Sequence, residues 1–278
     1  PLSYRVDIVP LGDQIDAALG AREAGRPDVV MLPRPGLVTE HIDDLVPLPS
    51  DVWDVGAEPQ PYAPLWRDLL VRGDRAYGLP FKAAHKSLVW YRKELFGDSP
   101  GLSDLGPARR LALAAGDAWM LTDFFENVLH SVSPRQYRIL HDTGRQRDWD
   151  TPEIRTAFDL LGSLWGAAGI LAGGVSRSMA LQFPDAVREV FRFERAAMVV
   201  APDFAEPFVT EAFPDPEERR ARVGVMQFPR LREQDRVPLV AGGDVVVMTN
   251  DRPEVLDLVR RLAEPAAADP WIRQRGGF

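Results

Sequence analysis

The chain of 278 residues contains no cysteine. That excludes disulfides, thiolate metal sites and a cysteine nucleophile. It leaves the compartment open, since large secreted domains need no disulfides. Histidine is scarce as well: His41, His85, His130 and His141 are scattered, and none stands in a metal-ligand spacing. There is no excess of basic charge. Lys and Arg total 33 against 41 Asp and Glu, a formal net charge of −8, whereas a nucleic-acid binder normally carries a basic patch. No apolar run has membrane-spanning length, and no signal peptide or lipidation cysteine is present. The G-x-S-x-G, P-loop and G-x-G-x-x-G patterns are missing. Carboxylates are plentiful, yet no pair singles itself out for glycoside chemistry. The sequence therefore argues against an enzyme and calls for no cofactor or metal.

What is present is an ordinary globular composition, 45% hydrophobic and 27% charged, at a length that suits two domains. YRVDIV (4–9), DVVML (28–32), AAMVVA (196–201), RVGVMQFP (222–229) and DVVVM (244–248) read as strands. The continuous apolar runs suit strands buried on both faces of a parallel sheet. Asp13 is placed to cap a helix carrying Ile15, Ala18, Leu19 and Arg22 and ending at Gly25. The opening thus reads as strand–helix–strand. Residues 41–75 read as loops and short helices, with Trp53, Tyr62 and Trp66 packing beneath them. A short Ala/Leu-rich helix is expected after residue 107. Trp119, Leu121, Phe124, Phe125, Val128 and Leu129 then form a helical stripe. Pro152 and Pro184 suit the first turns of two more helices. The charged, Pro-broken stretch 205–222 reads as a mobile excursion. Asp251-x-x-Glu254 resembles a capping box for a helix bearing Val255, Leu258, Val259 and Leu262, with a shorter helix at about 266–275. Alternating strands and helices argue for the α/β class.

The stretch AYGLPFKAAHKSLVWYRKELF (76–96) holds two β-type runs around a short polar link. It reads either as a hairpin or as one extended segment that leaves one domain and enters another. This stretch is similar to the crossover of the family 1 extracellular solute-binding proteins, the sugar receptors of ABC importers. RPDVVMLPRPGLV (26–38), WMLTDFFENVL (119–129), AAMVVAPDF (196–204) and PLVAGGDVVVMTNDRPEVLDLVRRLAEP (238–265) agree with the family in the same order.

The resemblance implies a two-domain, periplasmic-binding-protein-like (type II) α/β fold. Domain one would be 1–86 plus 241–278 and domain two 87–240. A ligand cleft between them would close about hinges in 81–87 and 239–244. It also implies a further strand and helix before Tyr4, and helices after the terminal Gly-Gly-Phe, so the chain reads as truncated at both ends. The implied function is an extracytoplasmic receptor for a sugar or other neutral solute. It would act as a monomer, anchored through a segment outside this chain, and deliver its ligand to an ABC permease. The alternative is a sensor domain of the same fold, tethered to a membrane signalling protein.

Sugar recognition needs aromatic faces against the C–H side of the ring and fixed polar groups for the hydroxyls. The resemblance points to Asp13 and Gln14 after the first strand, Arg34 after the second and Lys86 in the crossover. In domain two it points to Trp119 and Asp123, then to Asp203 and Phe204. Gly243 and Asp244 lie at the return crossover, where glycine lets backbone approach a ligand or simply shapes the hinge. Asp13 serves equally as a helix cap, Arg34 as a surface ion-pair partner, Trp119 as core, and Asp123 as a cap for the helix that follows.

Overall fold

The computed structural model describes residues 2–21, 25–97, 100–142 and 148–273. The strands are β1 (Val29–Leu32), β2 (Val71–Arg72), β3 (Arg75–Ala76), β4 (Leu79–His85) and β5 (Leu88–Arg92), followed by β6 (Leu111–Ala112), β7 (Met198–Val200), β8 (Val223–Gln227) and β9 (Ala241–Met248). They form a three-stranded sheet in the order β1-β9-β4, a small β2-β3 ribbon and a four-stranded sheet in the order β6-β7-β5-β8. The chain divides into two compact units, one built from Pro1–Ala83 with Gly242–Gln274 and the other chiefly from Ala84–Ala241.

In the first unit, β9 lies between β1 and β4, and Val245, Val246, Val247 and Met248 are all buried. Central placement explains the unbroken apolar run. β1 shows a different pattern. Val30 and Leu32 are buried while Met31 is 41% exposed, because β1 is an edge strand covered on one face. It pairs antiparallel with β9, so the parallel arrangement expected of these runs is not formed here. Trp53 is buried and meets Tyr62 edge-on at 4.6 Å, the packing expected beneath the 41–75 loops.

Residues 4–9 are not a strand. Ile8 and Val9 are 89% and 69% exposed. Alternation alone does not make a strand; the backbone also needs a hydrogen-bonded neighbour, and none of the three strands of this sheet pairs with the segment. The strand–helix–strand opening is therefore absent. The helix spans only Ile15–Leu19, with Gln14 rather than Asp13 at its N-cap and Gly20 at its C-cap. The helix Pro253–Ala263 starts from Arg252 with no side-chain cap. Asp251 and Glu254 thus form no capping box, since Pro253 already fixes the first turn.

In the second unit, β5 is central. It pairs antiparallel with β7 and β8, while β6 and β7 run parallel. Successive residues go to opposite faces. Val89, Tyr91, Leu111, Met198 and Val200 pack with Phe124, Val128 and Ile154 on one side. Trp90, Ala112 and Val199 pack with Phe183, Val187 and Val209 on the other. Both faces are thus covered, as the apolar runs anticipated. The helices Ala118–Val132, Pro152–Gly166 and Phe183–Phe191 form where their stripes and prolines indicate, and Thr151 caps the second by accepting from the Ile154 N–H.

Two expectations in this unit fail. The Ala/Leu-rich stretch supplies β6 rather than a helix, because pairing with β7 and the Ala172 N–H bond to the Leu111 carbonyl fix it extended. Tertiary pairing overrides helix propensity there. The stretch 205–222 forms two helices, Glu206–Ala212 and Pro216–Arg222. Buried Val209 anchors the first, and Asp215 caps the second by accepting from the Glu217 N–H at 2.8 Å.

Candidate ligand-binding site

The two β-type runs of 76–96 are not a hairpin: β4 belongs to the three-stranded sheet and β5 to the four-stranded one. The residues joining them organise the site. Because β5 runs opposite to β6, β7 and β8, its beginning lies at the edge where those three strands end. Open α/β sheets bind ligands at the carboxyl ends of their strands.

Three connections converge on that edge. After β6 the chain reaches Asp117, whose Oδ2 accepts from the Phe183 N–H at 2.6 Å. This bond ties the start of helix Ala118–Val132 to the start of helix Phe183–Phe191 and brings Trp119 to 5.3 Å from Phe183. After β7, Pro202 leads into the short turn Asp203–Ala205. That turn puts Phe204 at 5.9 Å from Trp119 and 5.3 Å from Phe183. Before β5, His85 and Lys86 each hold one carboxylate. The His85 N–H donates to Asp203 Oδ2 at 3.0 Å, and Lys86 Nζ donates to Asp123 Oδ1 at 2.8 Å. Asn127 braces this pair by donating to the Lys86 and Asp123 carbonyls. Ser87 is fully buried, and its Oγ accepts from the Val240 N–H.

Five of the ten expected residues, Lys86, Trp119, Asp123, Asp203 and Phe204, therefore come together. Trp119 is not core: 36% of it is exposed. Asp123 does not cap its helix. It lies one full turn in, only 5% exposed, and burial raises its pKa against the opposing pull of Lys86. Its Oδ2 and the Oδ1 of Asp203 are buried without a hydrogen-bond partner among the described residues.

The sequence reading missed Phe183, which backs Trp119, and Glu126 and Tyr137, which adjoin Asp123. Burial first, then the Asp123 charge, pushes Glu126 up to about 7, against the pull of Lys86 and a hydrogen bond from the Tyr137 hydroxyl. Burial, with Glu126 next, raises Tyr137 above the ordinary tyrosine range. The spacing of Glu126 from Asp123, three residues along one helix face, was a usable signal.

The other five expected residues lie in the first unit. Gln14 and Arg34 are exposed, and Asp244 is half-buried in β9. The side chain of Asp13 lies outside the described residues. Gly243 serves packing: a Cβ there would overlap the Lys82 carbonyl oxygen and stand 2.7 Å from the Trp66 ring. A Gly243→Ala variant is expected to lose about 1–3 kcal/mol through overpacking. Urea unfolding would show it, and an unchanged midpoint would contradict the packing role.

No group of three His, Asp or Glu residues suited to a metal occurs among the described residues. No described helix is long and apolar enough to cross a membrane.

No family model matches the chain. It is 26% identical over 266 residues to the osmoprotective compounds-binding protein of Synechocystis sp., covering 87% of this chain and 61% of that protein. It is 21% identical over 277 residues to the alpha-glucosides-binding periplasmic protein of Rhizobium meliloti, covering 89% and 59%. The chain thus spans about three fifths of the length of these curated relatives. Among solved structures, a chitin oligosaccharide binding protein superposes with a TM-score of 0.76 at 16% identity, covering 100% of this chain and 73% of that one. The fold is that of the two-domain periplasmic-binding-protein-like solute receptors.

Proposed function

We propose, for a chain that is a relative of the family 1 extracellular solute-binding proteins, that it is an extracytoplasmic receptor for a sugar or oligosaccharide. It binds the sugar without turning it over and passes it to the membrane permease of an ABC importer. One observation carries this reading: a partly exposed tryptophan, packed against two phenylalanines, stands beside two carboxylates and a lysine at the carboxyl ends of β6 and β7. The Trp119 face suits the C–H side of a pyranose. The carboxylates of Asp123 and Asp203 accept from hydroxyls, and the Lys86 ammonium donates to them. Burial and hydrogen bonds hold these groups in place before any ligand arrives, which lowers the cost of ordering them on binding.

The test is thermal unfolding of the chain against a panel of mono- and oligosaccharides, headed by alpha-glucosides because one relative is named for binding them. A ligand at a hundredfold excess over its dissociation constant adds roughly 2.7 kcal/mol of stability. At least one sugar is expected to raise the midpoint by several degrees. Trp119→Ala is expected to weaken that sugar about tenfold or more by calorimetry, as loss of a stacking anchor does. A panel without a shift, or a Trp119→Ala variant that binds as well as the parent, would overturn the assignment.

A further inference from the structure

The chain is acidic as a whole, yet one edge of the four-stranded sheet is rich in arginine. β5 ends there at Arg92, and β6 and β7 begin there, shortly after Arg110 and Arg195. This is the edge opposite Trp119, Asp123 and Asp203, because β5 runs against β7 and β7 runs with β6. Between these strand ends lies a cavity of about 190 Å³. Arg92, Arg110, Arg195 and Glu194 supply its charges, and Leu95 and Pro107 are among its apolar walls.

The carboxylates around it are already spent, each on two guanidiniums. Glu194 is held by Arg92 at 2.9 Å and Arg222 at 2.6 Å. Glu94 is held by the same pair at 2.7 and 3.6 Å. Buried Glu189 is held by Arg177 at 2.6 Å and Arg195 at 3.2 Å. Arg110 has no such partner. Its Nε donates to the Pro107 carbonyl at 2.8 Å, and its two Nη atoms have no hydrogen-bond partner among the described residues. A guanidinium anchored through Nε still offers its Nη pair as a fork, which meets a carboxylate with two hydrogen bonds.

The rim of the cavity carries a backbone cost. Glu194 has a φ of 53°, the one non-glycine residue with positive φ among the described residues. It lies in the turn that leaves helix Phe183–Phe191, where a left-handed position is normally glycine. Such strain persists where the surroundings need the side chain. What glutamate adds over glycine here is the carboxylate that steadies Arg92 and Arg222.

We propose that this cavity binds a carboxylate borne on a short hydrocarbon stem, from an acidic side chain of a partner protein or from a small free acid. Arg110 takes the carboxylate on its Nη atoms, and Arg92 and Arg195 keep the surroundings positive. Leu95 and Pro107 receive the stem. Inorganic phosphate has no stem and forgoes that contact. The site lies at the other edge of the sheet from the proposed sugar site and does not depend on it.

The experiment is nitrogen-15 NMR of the arginine side chains in the intact chain at constant ionic strength. Glutarate, the capped peptide acetyl-Ala-Glu-Ala-amide and inorganic phosphate are titrated in turn. Glutarate is expected to move the Arg110, Arg92 and Arg195 signals along one saturating curve and to leave exposed Arg34 still. Arg110→Gln is expected to weaken binding about tenfold or more, since a charge-assisted pair is lost. Arg110→Lys keeps the charge without the fork and is expected to lose most of the affinity as well. Arg110 is exposed, so both variants should fold as the parent does. A peptide that binds as tightly as glutarate assigns the site to a partner's side chain; glutarate binding without the peptide assigns it to a free acid. Phosphate binding as tightly as glutarate would overturn the role of the stem. Shifts that never saturate, or an Arg110→Gln variant that binds like the parent, would overturn the site.

Discussion

A Lys86→Met variant is expected to lose about 3–5 kcal/mol of stability at pH 7, the cost of leaving one member of a buried ion pair without the other. Methionine keeps the length of the side chain and removes the charge. Asp123 is then left almost wholly buried, with no cation on either oxygen. Its pKa, already raised by burial and held down by Lys86, rises further. The sign of the pH dependence follows. A carboxyl whose folded-state pKa is raised is most compatible with folding when protonated, so the variant's deficit shrinks as the pH falls. The double variant Lys86→Met, Asp123→Leu removes both charges and is expected to recover most of the loss. Urea unfolding of the four proteins of this cycle at pH 5 and pH 8 measures each term. A single-variant loss below about 1 kcal/mol, or a double variant no more stable than the single, would show that the pair is not a buried electrostatic unit.

The same pair shows what was legible in the sequence. Lys86 and Asp123 are 37 residues apart, and no spacing rule joins them. Family resemblance brought them onto one short set of candidates, and the fold brings them into contact. Helices carry their own evidence: the stripe through Phe124 and Val128, and prolines at 152 and 184, act within a few residues. Strands depend on neighbours the sequence does not name. Residues 4–9 alternate correctly and remain unpaired, whereas Leu111 and Ala112 look helical and pair with Met198 and Val199. Edge and centre were equally hidden. DVVML and DVVVM differ only in their last two letters, yet Met31 is open on the edge strand and Val247 is closed in the middle. Within the site, Trp119, Asp203 and Phe204 were found because the family resemblance places ligand contacts at such strand ends and helix starts. Tyr137 offered no such mark. Its part comes only from the turn at Ser133, where the Tyr137 N–H bonds back to the Ser133 carbonyl and starts the helix that faces Glu126.

Glu126 gives the second large effect. Its carboxyl is pushed from the ordinary value of 4.5 up to about 7 in the folded chain. The folded state therefore holds a proton that the unfolded state has released, throughout the window from about pH 4.5 to about pH 7. The stability linked to this proton is fully present below that window and is lost as the pH rises through it. The size of the loss is ~3 kcal/mol. Asp123, raised by burial in the same way, adds to the fall in the same direction. Glutamine keeps the size of Glu126 and cannot ionise, so Glu126→Gln should lack this part of the pH dependence. Unfolding free energies of parent and variant, measured from pH 4.5 to 8, are expected to diverge in favour of glutamine, with most of the change before pH 7.5. Parallel curves would mean that Glu126 titrates like a surface glutamate. The helix face at 123, 126, 127 and 130 would then be polar because it is wet.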